Sequence, residues 1–220
     1  AARTAAAWSA GGVQDTASVM GIPEDELTPK VREAIGALLE EVHLLRTELD
    51  GMRNQLAEAQ GLADQDPLLP MYNRRAFMRE ISRIMAFSQR YKAKAALIYF
   101  DLNGFKTIND RHGHAAGDQV LRNVGELLIR NVRSSDVIGR IGGDEFGVLL
   151  ARASADVARQ KAENLSKMIA ESVTEWDGDA LSVSASFGVY VIEGETDPDT
   201  ALKEADREMY TDKRESQRNR

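Results

Sequence analysis

The chain has 220 residues, 43% of them hydrophobic, with 28 Lys and Arg against 35 Asp and Glu, for a net charge of −7. That length fits one domain of ordinary size with a remainder for a tail or a long helix, and the acidic balance excludes a non-specific nucleic-acid binder while leaving room for a nucleotide site built from a few local cations. With no cysteine in the chain, disulfides, zinc–thiolate centres and thiol catalysis are excluded; no apolar run reaches the ~18–20 residues of a membrane span, and a cytoplasmic location is expected.

Residues 1–27 are rich in Ala, Gly and Ser without a sustained period, and read as an unstructured segment. Thr28-Pro29 is a helix start, Thr as N-cap and Pro at the first helical position. A heptad pattern follows. Val31, Leu38, Leu45 and Met52 fall seven apart as d positions, and Ile35, Val42, Leu49 and Leu56 fall seven apart between them as a positions. Glu41 and Glu48 occupy g positions, with Arg46 and Arg53 at the e positions five residues on. Seam and flanks together predict a parallel two-stranded coiled coil over residues 28–65, hence a homodimer. The competing reading is a single helix packed on its own domain. As a continuous helix the stretch extends roughly 50 Å at 1.5 Å per residue, and Pro67 and Pro70 end it.

From Asn73 the composition turns globular, and residues 66–220 form the second domain. An amphipathic helix is predicted over Arg74–Tyr91, with Phe77, Ile81, Ile84 and Met85 inward. Ala95–Leu102 is an unbroken apolar strand suited to a sheet centre. A loop and short helix carry Asn103–Asp110, and a helix over Asp118–Val132 buries Leu121, Val124, Leu127 and Leu128. Strands over Val137–Ile141 and Phe146–Leu150 flank a Gly142-Gly143 turn, to which the glycines are expected to contribute positive φ. A helix over Ala155–Val173, a strand pair or one long strand over Leu181–Ile192 interrupted by Gly188, and a last helix over Asp197–Arg214 with Leu202, Ala205, Met209 and Tyr210 inward complete the order. The order α-β-α-β-β-α-β-α predicts an α+β, ferredoxin-like palm whose central sheet contains antiparallel strands.

Three acids carry the chemistry. Asp101 ends the first strand, and Asp144 and Glu145 begin the third. If those strands pair, their carboxylates converge on one sheet edge, as metal-assisted phosphoryl transfer requires: hard oxygen ligands for Mg²⁺ and a carboxylate beside the attacking hydroxyl. Lys106, just beyond the strand, is placed to meet charge developing on phosphate. Taken bare, a Gly-Gly-Asp-Glu turn is also an ordinary hairpin.

The run Asp101-Leu102-Asn103-Gly104-Phe105-Lys106-Thr107-Ile108-Asn109-Asp110, followed by Gly113-His114, Gly117-Asp118 and Gly142–Phe146, resembles the GGDEF family of diguanylate cyclases, which condense two GTP into cyclic di-GMP. The similarity runs from about Asp66 to the C-terminus. It implies that Asp101 and Asp144 hold Mg²⁺ (or Mn²⁺) by side chain and Leu102 by its carbonyl. Glu145 is then near a second metal or the reacting ribose hydroxyl, and Asp144 is the base often assigned in such enzymes. Asn109 and Asp118 contact guanine, His114 lines the same pocket, and Lys106 stabilises the transition state; Gly142 and Gly143 belong to the substrate turn. Lys213 and Arg218 are the triphosphate contacts. Arg133-Ser134-Ser135-Asp136, five residues before Gly142, matches the family's Arg-x-x-Asp product-inhibition site, so cyclic di-GMP is expected as inhibitor as well as product. Without the resemblance, Asn109 and Asp118 read as turn and N-cap residues, His114 as a loop residue, and Arg133 with Asp136 as a surface pair.

The chain departs from the family pattern in three places. Leu69 and Pro70 stand where Thr and Gly are common, Asn103 where a second Asp is common, and the C-terminal Lys-x-x-x-Arg spacing is displaced, so that Arg218 follows Lys213 one residue late. Two rival readings share the same motifs: a catalytically silent domain that binds cyclic di-GMP or GTP, and a scaffold in which the coiled coil recruits a partner.

Overall fold

The computed structural model of the chain describes residues 28–192 and 196–218, with 54, 56–60, 62, 212 and 214–218 described by backbone alone. Residues 1–27 lie outside the described residues, and so does the expectation made for them. Among the described residues no helix is long and apolar enough to cross a membrane. The chain divides into two units, Ala1–Leu62 and Ala63–Arg220.

In the first unit, the helix α1 (Pro29–Asp64) runs through the whole predicted seam. Thr28 caps it: its hydroxyl accepts from the Val31 N–H at 3.4 Å. Val31, Leu38, Val42, Leu45, Leu49 and Met52 are between 39% and 65% exposed, so this chain by itself leaves most of the seam uncovered. Ile35 is half-buried, and the Leu56 side chain is outside the description.

The second unit follows the predicted order with additions. A two-residue strand β1 (Tyr72–Asn73) leads into α2 (Arg74–Tyr91), whose N-terminus is capped by Asn73 Oδ1 accepting from the Ala76 N–H at 3.0 Å. Then come β2 (Ala95–Asn103), α3 (Phe105–His112), α4 (His114–Arg130), β3 (Val137–Arg140), β4 (Glu145–Ala151), α5 (Ala155–Glu171), β5 (Thr174–Trp176), β6 (Asp179–Leu181), β7 (Ser184–Ile192) and α6 (Pro198–Arg218). The sheet order is β1-β3-β4-β2-β7, with β5 and β6 a separate hairpin. β1 runs parallel to β3, and every other neighbour in the sheet is antiparallel. Strands β2, β3, β4 and β7 with α4 and α5 form the expected palm.

Both sheet faces are covered, which is why β2 is apolar without alternation. On one face Ile98, Phe100, Phe146 and Val148 pack with Val120, Leu121, Val124 and Leu128 of α4 and Leu165 and Ile169 of α5. On the other, Leu97, Tyr99 and Leu149 pack with Phe77, Ile81 and Met85 of α2 and Leu202, Ala205 and Met209 of α6. That second face carries one cross-strand row of small residues: Gly139 opposite Gly147, Gly147 opposite Tyr99, Tyr99 opposite Gly188. The Phe77 ring fills the space over the first two, where added Cβ atoms would lie 2.8 and 2.5 Å from it. At Gly188 a Cβ would lie 2.0 Å from the Ala205 carbonyl oxygen and 2.4 Å from the Met209 nitrogen, so α6 rests directly on the strand backbone.

Several expectations are corrected. Gly188 does not interrupt a strand; β7 is continuous through it, and the glycine is there to admit α6. The segment before β7 is the hairpin β5–β6, turned by Asp177 and Gly178 with φ of 49° and 88°, the left-handed pair of a type I′ turn. α4 begins at His114, because Gly113 at φ 82° ends α3 and the next helix starts at once. Leu127 is half-buried, and Tyr210 is 59% exposed, outside the core. Of the two altered linker residues, Leu69 is buried and Pro70 exposed; Leu69 and its neighbour Met71 put methyl carbons 3.2 and 3.1 Å from where a Cβ on Gly125 of α4 would lie.

Replacing Gly188 with Ala puts a methyl group into the α6 backbone. A loss of about 2–3 kcal/mol is expected, measured as a lowered urea midpoint at unchanged slope; an unchanged midpoint would mean that α6 lifts from β7 at no cost.

Candidate active site

The site is a rim where β2 ends and β4 begins. Asp101 and Glu145 are directly paired residues of the antiparallel β2–β4 ladder, and the Leu102 N–H donates to the Asp144 carbonyl at 3.1 Å, so pairing extends one residue past β4. Burial pushes the Asp144 carboxyl above its usual range, and the neighbouring Asp101 carboxylate pushes it further; Lys213 and Arg140 oppose the shift. The expected meeting of Asp101, Asp144 and Glu145 at one edge is therefore found. Lys213 arrives from α6, its Nζ 2.5 Å from Asp101 Oδ1. Leu102 has its side chain in the core, which leaves its main chain as the part that can serve the rim.

The turn between β3 and β4 is wider than a two-residue hairpin. The Ile141 N–H donates to the Glu145 carbonyl at 2.8 Å and the Gly142 N–H to the same oxygen at 3.4 Å. Neither Gly142 nor Gly143 has positive φ, which corrects the expectation for them. Gly142 is needed for room: a Cβ there would lie 1.9 Å from Glu145 Oε2. A Cβ on Gly143 would meet nothing within 4 Å, so the turn is open on that side.

Two arginines brace the turn. Arg140 Nη2 donates to the Gly143 carbonyl at 2.7 Å, its Nε to the Gly142 and Gly143 carbonyls at 3.2 Å, and its Nη1 pairs with Asp66 Oδ1 at 3.3 Å. The Arg140 and Asp66 side chains are only 16% and 10% exposed. Asp66 Oδ1 also accepts from the Leu68 and Leu69 N–H groups at 3.0 Å. Arg74 Nη1 reaches the Ile141 carbonyl at 3.4 Å. Sequence reading gave these three residues no role; an Arg two positions before a Gly-Gly turn was the available signal.

Beneath the rim stands Tyr99, 4% exposed, on the same face of the sheet as Glu145 and diagonally across from it. Burial, then the negative charge of Glu145 and Asp206, pushes the phenol far above its ordinary range, with Arg74 opposing. Sequence reading missed it as well, because an aromatic in an apolar strand reads as core. Asn103 donates from Nδ2 to Ser186 Oγ at 3.0 Å and Ser184 Oγ at 3.4 Å on β7, so the neutral amide here anchors the end of β2.

A second cluster lies where α3 meets α4. Asn109 Oδ1 is buried without a hydrogen-bond partner among the described residues, a costly state for an amide oxygen. It sits against Gly117, where a Cβ would lie 2.0 Å from it, and Asp118 follows inside α4, half-buried. His114 and Lys106 are both exposed, in the first turns of α4 and α3. The Arg218 side chain is outside the description, and with it the second triphosphate contact.

Arg133 and Asp136 lie away from the rim, at the opposite end of β4. They line a cleft of about 200 Å³ with Ala151, Arg152, Lys161 and Asn164. Asp136 Oδ2 accepts from the Arg133 N–H at 3.0 Å, and Arg133 is exposed. β4 spans seven residues, about 20 Å at strand rise.

The rim's donors are hard oxygens, the type Mg²⁺ takes. Among the described residues no group of three or more His, Asp or Glu side chains is gathered to enclose an ion. Two carboxylates and a main-chain carbonyl, completed by substrate phosphate and water, is the arrangement Mg²⁺ ordinarily uses, so the residues present fit such an ion.

The diguanylate cyclase GGDEF domain model matches residues 63–220. The diguanylate cyclase DgcP of Pseudomonas aeruginosa is 32% identical over 185 residues, 84% of this chain and 28% of that protein. The diguanylate cyclase TpbB of the same species is 35% identical over 190 residues, 86% of this chain and 43% of that protein. The chain thus spans less than half the length of these relatives. The coiled coil and GGDEF domain of DgcB from Caulobacter crescentus, solved in complex with c-di-GMP, superposes with a TM-score of 0.71 at 24% identity, covering 81% of this chain and 95% of that one; the likeness is one of fold. With the family match over residues 63–220 and the acids on the rim where its motif puts them, the chain belongs to the GGDEF-domain diguanylate cyclase family.

Proposed function

We propose that this chain is a diguanylate cyclase that condenses two GTP into cyclic di-GMP with release of pyrophosphate. The observation that carries the reading is the rim: Asp101, Asp144 and Glu145 share one sheet edge, with the Lys213 ammonium bonded to Asp101. Asp101 and Asp144 by side chain, Leu102 by its carbonyl and Glu145 beside them would hold Mg²⁺ or Mn²⁺. The bound ion supplies neutralisation of phosphate charge.

The chain's own residues set up the rest. The 3′-hydroxyl of one GTP attacks the α-phosphorus of the other; the new P–O bond forms as the α–β bridge breaks and pyrophosphate departs, and the same step in the reciprocal sense closes the ring and releases a second pyrophosphate. The hydroxyl proton passes to a rim carboxylate, Asp144 or Glu145. Lys213 is placed to leave Asp101 for phosphate, and Lys106 to meet charge on the phosphates from the first turn of α3. The unpartnered Asn109 Oδ1 accepts from the guanine N–H edge, and Asp118 takes a second donor there, with His114 at the mouth. Arg140 and Arg74 hold the Gly142-Gly143 turn in place under the substrate.

One domain offers one rim, and bond formation needs two GTP face to face, so a second copy is part of the mechanism. The uncovered heptad seam of α1 supports a parallel coiled-coil homodimer. Arg133 and Asp136, with a cleft at the far end of β4, support product inhibition by cyclic di-GMP: the guanidinium forks onto phosphate or a guanine edge and the carboxylate takes guanine donors.

Three measurements test these points. With GTP and Mg²⁺, the wild type forms cyclic di-GMP on nucleotide separation, and Asp144→Ala lowers turnover by at least about 100-fold; equal turnover would remove the rim from the chemistry. Arg133→Ala and Asp136→Ala raise the concentration of cyclic di-GMP needed for half inhibition by about tenfold or more, the loss of one or two charge-assisted contacts, with initial turnover intact. Leu45→Asp and Leu49→Asp shift the mass seen by light scattering from dimer to monomer and lower turnover together; full activity from a demonstrated monomer contradicts the coupling.

A further inference from the structure

We propose that Tyr99 is a positioning residue for the cyclase reaction, fixing the Glu145 carboxylate on the rim through its hydroxyl. The proposal rests on the cyclase reading above. It starts from the strand period. Tyr99 and Asp101 share one face of β2, and Glu145, paired with Asp101, stands diagonally across from Tyr99, within reach of an aromatic side chain.

The ring's surroundings are arranged around it. Directly across on both sides are glycines, Gly147 and Gly188, so no cross-strand side chain flanks it. Phe77 closes over Gly147, and the α6 backbone closes over Gly188. The phenyl part is thus walled by apolar surface and is 4% exposed. A Phe or Leu would fill this slot without further demands. A Tyr there must find a partner for its O–H, and the Glu145 carboxylate is the acceptor that the diagonal register puts on the same face.

Glu145 is held from the other side too. Its Oε2 occupies the space a Cβ on Gly142 would take, and Arg140 clamps the Gly142 carbonyl. The carboxylate is therefore located between a main-chain floor and a buried phenol. Such outer partners orient the groups that do the chemistry.

The test is Tyr99→Phe, which keeps the ring and removes one oxygen. Turnover is expected to fall about tenfold or more, with Mn²⁺ affinity falling by a comparable factor. The KM for GTP should stay within about twofold, and the thermal midpoint within about 3 °C. Mn²⁺ affinity is read by electron paramagnetic resonance in the presence of a GTP analogue with a methylene α–β bridge. In a Glu145→Gln background the same substitution should cost nothing further, because its effect passes through Glu145. Wild-type turnover and Mn²⁺ affinity in Tyr99→Phe would overturn the assignment, as would an equal loss in the Glu145→Gln background. The cycle decides even if Tyr99→Phe lowers the midpoint. A wild type that makes no cyclic di-GMP sinks the cyclase reading instead, and the Mn²⁺ titration, which needs no turnover, still decides the role of Tyr99.

Discussion

Like charges do not settle opposite one another in a sheet without cost, yet Asp101 and Glu145 are paired across β2 and β4, with Asp144 adjoining and its carboxyl pushed up by burial and by Asp101. This crowding is the constraint around which the second unit is built. It is held because the strands beneath are anchored on both faces: Phe100 and Phe146 are fully buried on one, Leu97 and Leu149 on the other. Relief for Asp144 is local: a backbone hydrogen bond first, then the charges of Lys213 and Arg140. A rim that breaks the pairing rule in this way has the character of a functional site, and on the proposed function its cost would be met by the cation and phosphates bound there.

Much of this was legible in the sequence for physical reasons. The apolar run of β2 announced a strand covered on both faces, and the palm follows from the order of elements once β2 takes the centre. The rim acids were legible because strand ends converge when central strands pair. What was not legible depends on contacts distant in sequence. Gly188 reads as a strand breaker because nothing local shows Ala205 and Met209 of α6 lying on it. Tyr99 reads as core because its partner, Glu145, is 46 positions away. Arg140 reads as an edge cation until Asp66, across the unit, shows where its guanidinium goes. The hairpin β5–β6 was different: Asp177-Gly178 carries the local signal of a type I′ turn, and it was overlooked because the strands it joins have three residues each.

The first unit presents the converse case. Its helix was legible in full, since a heptad seam and an N-cap are local features. Its purpose was not, because a lone helix with six seam residues more than a third exposed states only that apolar surface is left to be covered. The chemistry supplies the missing half of the argument. A reaction that joins two copies of one nucleotide gains from any device that raises the local concentration of a second rim. The parallel pairing proposed for the seam, which its β-branched and Leu positions favour, would be such a device.

Glycine has one meaning throughout the site, and it is not the one the sequence first offers. Gly142 and Gly143 look like turn residues chosen for backbone freedom, but neither uses positive φ. Gly142 leaves space for the Glu145 carboxylate, Gly117 for the Asn109 amide oxygen, Gly147 for Phe77, and Gly188 for the backbone of α6. Each is a missing methyl group filled by something else, and two of the four fillers are polar atoms of the proposed machinery. A side chain at Gly142 or Gly117 would therefore act on chemistry before it acted on folding, whereas one at Gly147 or Gly188 would wedge a helix off the sheet. The same absence of a Cβ shapes the rim above and the packing below, and Tyr99, set between two such gaps, is the side chain through which one is connected to the other.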